Sequence, residues 1–180
     1  MPTAHRLSLL ALLLIAPLAH AERADREKPI TIQSERGSAD DRNKVQTFEG
    51  RVTLTQGTLE ITANKLVVTQ DAEGYQKGIA TGGKDGLTRF RQKKEGKDEY
   101  TEGEAERIEY DGRSDVAKLF DRAILRSGPN ESKGQYIEYN GYTELYTITN
   151  GANNSSNKSG ERLKVIILPK AAASQPAGKP

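Results

Sequence analysis

The sequence predicts an all-β protein of many short antiparallel strands, and three observations carry that expectation. Apolar and polar residues alternate through TFEGRVTLTQGTLEITANKLVVTQD at 47–71, the period of two that sends successive side chains to opposite faces of a sheet. Turn dipeptides, DG at Asp111 and NG at Asn140 foremost, punctuate such runs and suit tight hairpins. No window carries apolar residues at helical spacing over a useful length; EYTEGEAERIEY at 99–110 has its apolar residues at strand spacing, with Gly103 among them.

In chain order, the first segment is of another kind. Arg6 precedes the apolar run LSLLALLLIAPLA at 7–19, and Ala19 and Ala21 frame an A-x-A site, the make-up of a cleaved secretory leader over 1–21. A retained span needs about 20 continuous apolar residues, and Pro17 and His20 interrupt this one. The expectation is one domain over 22–168 and a disordered tail, PKAAASQPAGKP, over 169–180.

Within the domain, Phe48, Val52 and Leu54 share one face around Gly50, and a QG turn follows at Gln56 and Gly57. Leu59, Ile61 and Ala63 share the next face, then Leu66 and Val68. AERIEYDG and QYIEYNG echo ANKLVVTQD, setting Ile108 and Ile137 in the place of Leu66, and Tyr110 and Tyr139 in that of Val68. FDRAIL at 120–125 is a looser echo of FEGRVTL at 48–54. The uneven spacing argues against a strict solenoid and for a weakly self-similar strand-turn-strand unit. RQKKEGKDEYTEGE at 91–104 reads as a charged hairpin or loop, NGANNSSNKSG at 150–160 as a polar loop. In ERLKVIILP, Val165, Ile166 and Ile167 run together, so this strand is buried on both faces or pairs with something.

Chemistry is sparse. Lys and Arg number 27 against 25 Asp and Glu, for a net charge of +2, and no basic patch argues for nucleic acid. Cysteine is absent and both histidines, His5 and His20, fall in the leader. That removes Ser-His-Asp and Cys-His nucleophiles and the usual zinc sites. A carboxylate pair of the glycosidase type needs neither residue, but nothing singles one out, and Trp is absent. The reading is a non-enzyme with no catalytic residue, metal or cofactor. A membrane-spanning barrel needs strands of about 9 to 11 residues and aromatic girdles; the strands here read as shorter, and three Phe and seven Tyr are few. The apolar faces therefore form a sandwich core, or line an open roll that takes an apolar ligand, and alternation alone suits both.

At 47–69 the sequence resembles the OstA-like family of lipopolysaccharide transport proteins. Its pattern T-F-x-G-x-V-x-x-T-Q-G-T-x-x-I-x-A-[DN]-K-[VL]-V-V-T is met by Thr47, Phe48, Gly50, Val52, Thr55, Gln56, Gly57, Thr58, Ile61, Ala63, Asn64, Lys65, Val67, Val68 and Thr69. Weaker similarity extends to KPITIQSE, GGKDGLTRFRQ, EGEAERIEY and GERLKVIILP. The resemblance implies an elongated open β-jellyroll with an apolar interior, working in the periplasm. It implies a carrier of lipopolysaccharide, sheltering lipid A acyl chains between an inner-membrane export complex and an outer-membrane translocon, with copies stacked head to tail.

On matching positions it points to Ile30 and Phe90 as lipid-facing; alternation adds Phe48, Val52, Leu54, Ile61, Leu66, Val68, Ile108 and Ile124. The edge strands implied for stacking are Pro29, Ile30, Thr31 and Ile32 at one end, and Leu163, Val165, Ile166 and Ile167 at the other. Two rivals stand beside this reading: an inner-membrane-anchored partner of the same fold, which would keep its N-terminal span, and a secreted carbohydrate-active β-roll.

Overall fold

The computed structural model describes residue 25 and residues 28–74, 76–94, 96–150 and 162–167. The leader with Ala19 and Ala21, most of the 150–160 loop and the tail lie outside the described residues.

Among the described residues twelve strands form one antiparallel system. They are β1 (Thr31–Gln33), β2 (Arg36–Asp40), β3 (Val45–Gln56), β4 (Leu59–Gln70), β5 (Gln76–Thr81), β6 (Thr88–Lys93), β7 (Tyr100–Ala105), β8 (Arg107–Asp111), β9 (Val116–Ser127), β10 (Asn130–Asn140), β11 (Leu145–Thr149) and β12 (Lys164–Ile166). Not all are short: β3, β4 and β9 have 12 residues each and β10 has 11. Alternation suggests a break at Asn64, because Ala63 and Leu66 both point inward. The strand instead bends there and goes on.

The bends are β-bulges of one design. Pairing of β3 with β4 jumps from Glu49–Lys65 to Val52–Ala63, so that Gly50 and Arg51 oppose Asn64. Pairing of β9 with β10 jumps from Phe120–Tyr136 to Ala123–Gly134, so that Asp121 and Arg122 oppose Gln135. An extra residue held in the left-handed region turns a strand sharply, and here φ is 82° and 44° at Gly50 and Arg51, 62° and 50° at Asp121 and Arg122. The bends line up across the molecule. Along that line the Glu35 N–H donates to the Gly50 carbonyl, Gly82 to Glu106, and Glu106 to Asp121; the Gln135 N–H donates to Asn150 Oδ1.

This row of corners divides the strands into two facing sheets. One contains β2, residues 45–49 of β3, 65–70 of β4, β5, β8, 116–120 of β9, 136–140 of β10, and β11. The other contains β1, the rest of β3 and β4, β6, β7, the rest of β9 and β10, and β12. Leu66, Ile108, Leu119 and Ile137 from the first and Val52 and Leu125 from the second are fully buried between them. This is the all-β jellyroll expected.

The second half, β7–β12, repeats the first, β1–β6, at a constant spacing of 71 positions as far as the end of β10. Arg51 Nε donates to Glu35 Oε1 at 2.6 Å, and Arg122 Nε to Glu106 Oε1 at 2.6 Å. Lys44 and Asp115 both have positive φ, and their carbonyls accept from Gln70 and Gly141. Asp40 Oδ1 accepts the N–H groups two and three residues on, and Asp111 Oδ1 does the same. The halves join where β5 pairs with β8 and β6 with β7.

Candidate functional site: the apolar interior

The inner faces of the two sheets enclose a continuous apolar interior, and most of the residues singled out from sequence line it. Val52, Leu54, Ile61, Leu66, Val68, Phe90 and Ile108 are buried there; Ile30 and Phe48 are half-buried and pack against it, as does Ile32. Ile124 is a correction. Ala123 and Leu125 point inward, and Ile124 faces outward into a polar recess beside Arg122 and Lys133. The looser echo had aligned Phe120 with Phe48, whereas the structure sets Leu119 in the place of Phe48. A slip of one residue turns every side chain to the other face.

The interior is nearly full. A slot of about 40 Å³ remains beside Ile30, Leu54, Ile61, Leu66, Val68 and Tyr110, against roughly 300–1,000 Å³ for a formed small-molecule site. Its middle is occupied by Phe90, whose ring stacks on Tyr139 of the opposite sheet with centroids 6.2 Å apart. Gly103 lies directly across from Phe90. A Cβ there would run into the Phe90 ring and come within 2.9 Å of Leu119 Cδ2, so β7 has glycine where the ring must lie flat. Thr101 Oγ1 donates to Tyr139 Oη at 3.3 Å. Burial, chiefly, pushes the Tyr139 hydroxyl above its ordinary pKa, and the Thr101 contact pulls the other way.

Opposite the row of corners the sheets end in turns, and an ion pair between two of these turns spans the gap. Lys97, on the β6–β7 hairpin, lies 2.9 Å from Glu144 on the β10–β11 turn. Its hydrogen bond to Glu144, then the charge of that carboxylate, raises the Lys97 pKa. The charged 91–104 segment is thus a hairpin, and it crosses the open side of the molecule. Sequence reasoning missed Tyr139, Thr101 and Lys97 as parts of this site. Phe90 and Tyr139 are far apart in the chain, and nothing local marks them as partners.

The ends of the interior are strand edges. Among the described residues β1 and β2 pair only with β3, and β11 and β12 only with β10. The triplet Val165, Ile166, Ile167 is neither buried nor covered: the three are 47, 37 and 76 % exposed. No group of three or more His, Cys, Asp or Glu suited to a metal ion occurs among the described residues, and no helix there is long and apolar enough to cross a membrane.

Comparison with known proteins agrees with this architecture. A family model described as LptA/(LptD N-terminal domain) LPS transport protein matches residues 31–145. The lipopolysaccharide export system protein LptA of Escherichia coli K12 is 30 % identical over 151 residues, 84 % of this chain and 77 % of that one. LptA of Haemophilus influenzae is 32 % identical over 135 residues, 74 % and 77 % of the two chains. The crystal structure of LptH, described as the LptA-homologous periplasmic component of the lipopolysaccharide transport device of Pseudomonas aeruginosa, superposes with a TM-score of 0.74. It is 26 % identical, with 81 % of this chain and 99 % of that chain covered. The two-sheet roll, its apolar interior and these matches make the chain a member of the LptA/LptD N-terminal domain family of lipopolysaccharide transport proteins.

Proposed function

We propose that this protein carries lipopolysaccharide across the periplasm without catalysis, sheltering lipid A acyl chains between its two sheets. Copies stacked head to tail through β1/β2 and β11/β12 would link an inner-membrane export complex to an outer-membrane translocon. The observation that carries the reading is an apolar interior ending, at both ends of the strand order, in unpaired sheet edges. In this reading 1–21 is a cleaved leader, 22–168 the working domain and 169–180 a tail.

Lipid must displace what fills the interior now. Each acyl CH₂ taken from water gains about 0.8 kcal/mol, so a chain of about ten gains about 8 kcal/mol. The Thr101–Tyr139 hydrogen bond is worth about 1 kcal/mol, and the Lys97–Glu144 pair is exposed to solvent and screened by salt. The polar contacts that hold that side closed therefore cost little beside what several chains return, and the apolar contacts broken there are replaced by contacts with lipid. Phe90 swings with β6 and exchanges Tyr139 for lipid.

A photo-crosslinking residue at Ile30 or Phe90, in protein loaded with lipopolysaccharide, is expected to capture lipid. The same residue at outward-facing Lys118 is expected to capture none. Folded protein that gives no lipid adduct at either interior position sinks the proposal and returns those residues to an ordinary core.

A further inference from the structure

We propose that the joint inside the molecule is the template for the joint between molecules. Strands β11 and β12 of one copy receive β2 and β1 of the next in the register that β5 and β6 hold with β8 and β7. This rests on the head-to-tail reading above and adds a residue-by-residue register to it.

The two halves present equivalent strands to both sides of that joint. Ala80 of β5 faces Leu66, and Ile148 of β11 faces Ile137, the counterpart of Leu66. Phe90 of β6 faces Ile61, and Val165 of β12 faces Ser132, the counterpart of Ile61. On the receiving side Gly103 and Ile108 face Leu125 and Leu119, as Ile32 and Gly37 face Leu54 and Phe48. The internal pairs Phe90–Gly103, Ala80–Ile108 and Gly78–Tyr110 thus have the counterparts Val165–Ile32, Ile148–Gly37 and Tyr146–Ala39 between copies.

Side-chain bulk supports this register. In the last two pairs a small and a large residue face each other inside the molecule, and between copies they have changed strands, so each pair keeps its volume. Phe90 over Gly103 becomes Val165 beside Ile32, two medium residues for one large and one absent. A Cβ at Gly37 would meet Phe48 no closer than 3.4 Å, so Gly37 is free of the crowding that forces glycine at 103 and can lie under Ile148.

Exposure points to the same surface. Phe90 is 4 % exposed because β7 covers it, while its counterpart Val165 is 47 % exposed; Tyr146, the counterpart of Gly78, is 42 % exposed, and Ile148, the counterpart of Ala80, is half-buried. Leu163, Val165 and Ile167 alternate along one face of the C-terminal edge, and in this register Ile32 and Ile30 come opposite the last two. A bare edge with apolar side chains recruits a strand, and a second copy offers the matching edge. The new joint also differs in charge. Arg89–Glu104, Arg91–Glu102 and Lys77–Asp111 cross the internal joint at 3.2, 3.2 and 3.1 Å. Their counterparts are Lys164–Gln33, Ile166–Thr31 and Leu145–Asp40, none of opposite charge. Apolar contact and ladder hydrogen bonds hold copies together, so salt does not part them.

The chain has no cysteine, which permits a direct test with mixed single-cysteine proteins. Facing residues of an antiparallel pair have Cα atoms about 4.5–5.5 Å apart, within disulfide reach; beyond about 7 Å no bridge forms without backbone movement. Ile32→Cys with Val165→Cys, and Ala39→Cys with Tyr146→Cys, are expected to cross-link about tenfold faster than pairs displaced by two residues, Ile30→Cys or Ser34→Cys with Val165→Cys. Sedimentation of the unmodified protein is expected to show association as strong at about 1 M salt as at low salt. Faster cross-linking of a displaced pair overturns the register and leaves stacking intact. No cross-link in a sample that sediments as an oligomer overturns the end-to-end joint itself. A monomer at every concentration overturns the head-to-tail reading on which the register stands.

Discussion

At the scale of single residues, this interior is specified by size as much as by apolarity. Gly103 is the plainest case, since any side chain there meets Phe90 and Leu119. Gly103→Ala is expected to destabilise the protein by about 1–3 kcal/mol, the usual effect of overpacking, read as a lower urea midpoint. Phe90→Leu in the same chain should recover part of the loss, because neighbouring changes couple. Leu66→Ala, by contrast, leaves a void at a site 1 % exposed and is expected to cost about 2–5 kcal/mol in the same assay.

Charge acts at this scale through Asp111. Burial alone would raise its pKa, but the hydrogen bond from Lys77 and the N–H groups of Ser114 and Arg113 outweigh that and hold it low. A depressed carboxyl lends stability above its unfolded value, near pH 4, and loses it as pH falls through the folded one. The thermal midpoint should therefore hold steady above about pH 5 and drop below about pH 4. Asp111→Asn should flatten part of that drop; an unchanged profile would show that the turn draws nothing from this carboxylate. Inward-facing residues were legible one by one where the alternation was unbroken, as at Val52, Leu54 and Ile61. Ile124 was misread because FDRAIL matches FEGRVTL best one residue out of phase.

At the scale of elements, the informative feature is that long strands bend rather than stop. Period-two reading found the apolar positions on both sides of Asn64 and took the double step between Ala63 and Leu66 for an end. Two outward residues in succession, Asn64 and Lys65, are the sequence trace of a bulge. The glycine of FEGR reads in sequence as one position of a continuous strand face, and Asp121, in the equivalent place, carries no mark of a bend either. Gly50 sits at φ 82° with Glu35 against it. Gly50→Ala should lose about 1–2 kcal/mol from the left-handed backbone alone, and more from the collision, measured by equilibrium unfolding. An alanine variant as stable as the parent would mean that the corner can move.

At the scale of the whole molecule, the chain is one unit built twice. That was beyond sequence reading, because the halves agree in corner geometry and hydrogen bonds while their facing residues differ: Phe48 and Leu119, Val68 and Tyr139. The echoes in the sequence even pair Ile108 with Leu66, although Ile108 stands where Gly37 does in the first half. Closure of the open side is also a property of the whole, since Lys97 lies on the connection between the halves and Glu144 lies late in the second half. Glu144→Gln removes the ion pair, and is expected to speed uptake of a lipopolysaccharide probe while leaving the thermal midpoint within about 1 °C, as loss of an exposed pair usually does. Slower uptake would mean that the contact guides lipid instead of retaining the closed form.

The row of corners has a mechanical consequence. Bulges interrupt a ladder where they occur, so bending stiffness is lowest along the line from Glu35 to Asn150. The sheets can therefore rotate about that line as two stiff plates about a crease, with their own ladders intact. Because every long strand crosses the crease, the rotation of one half is transmitted to the other, and a chain of copies would flex as one continuous fold.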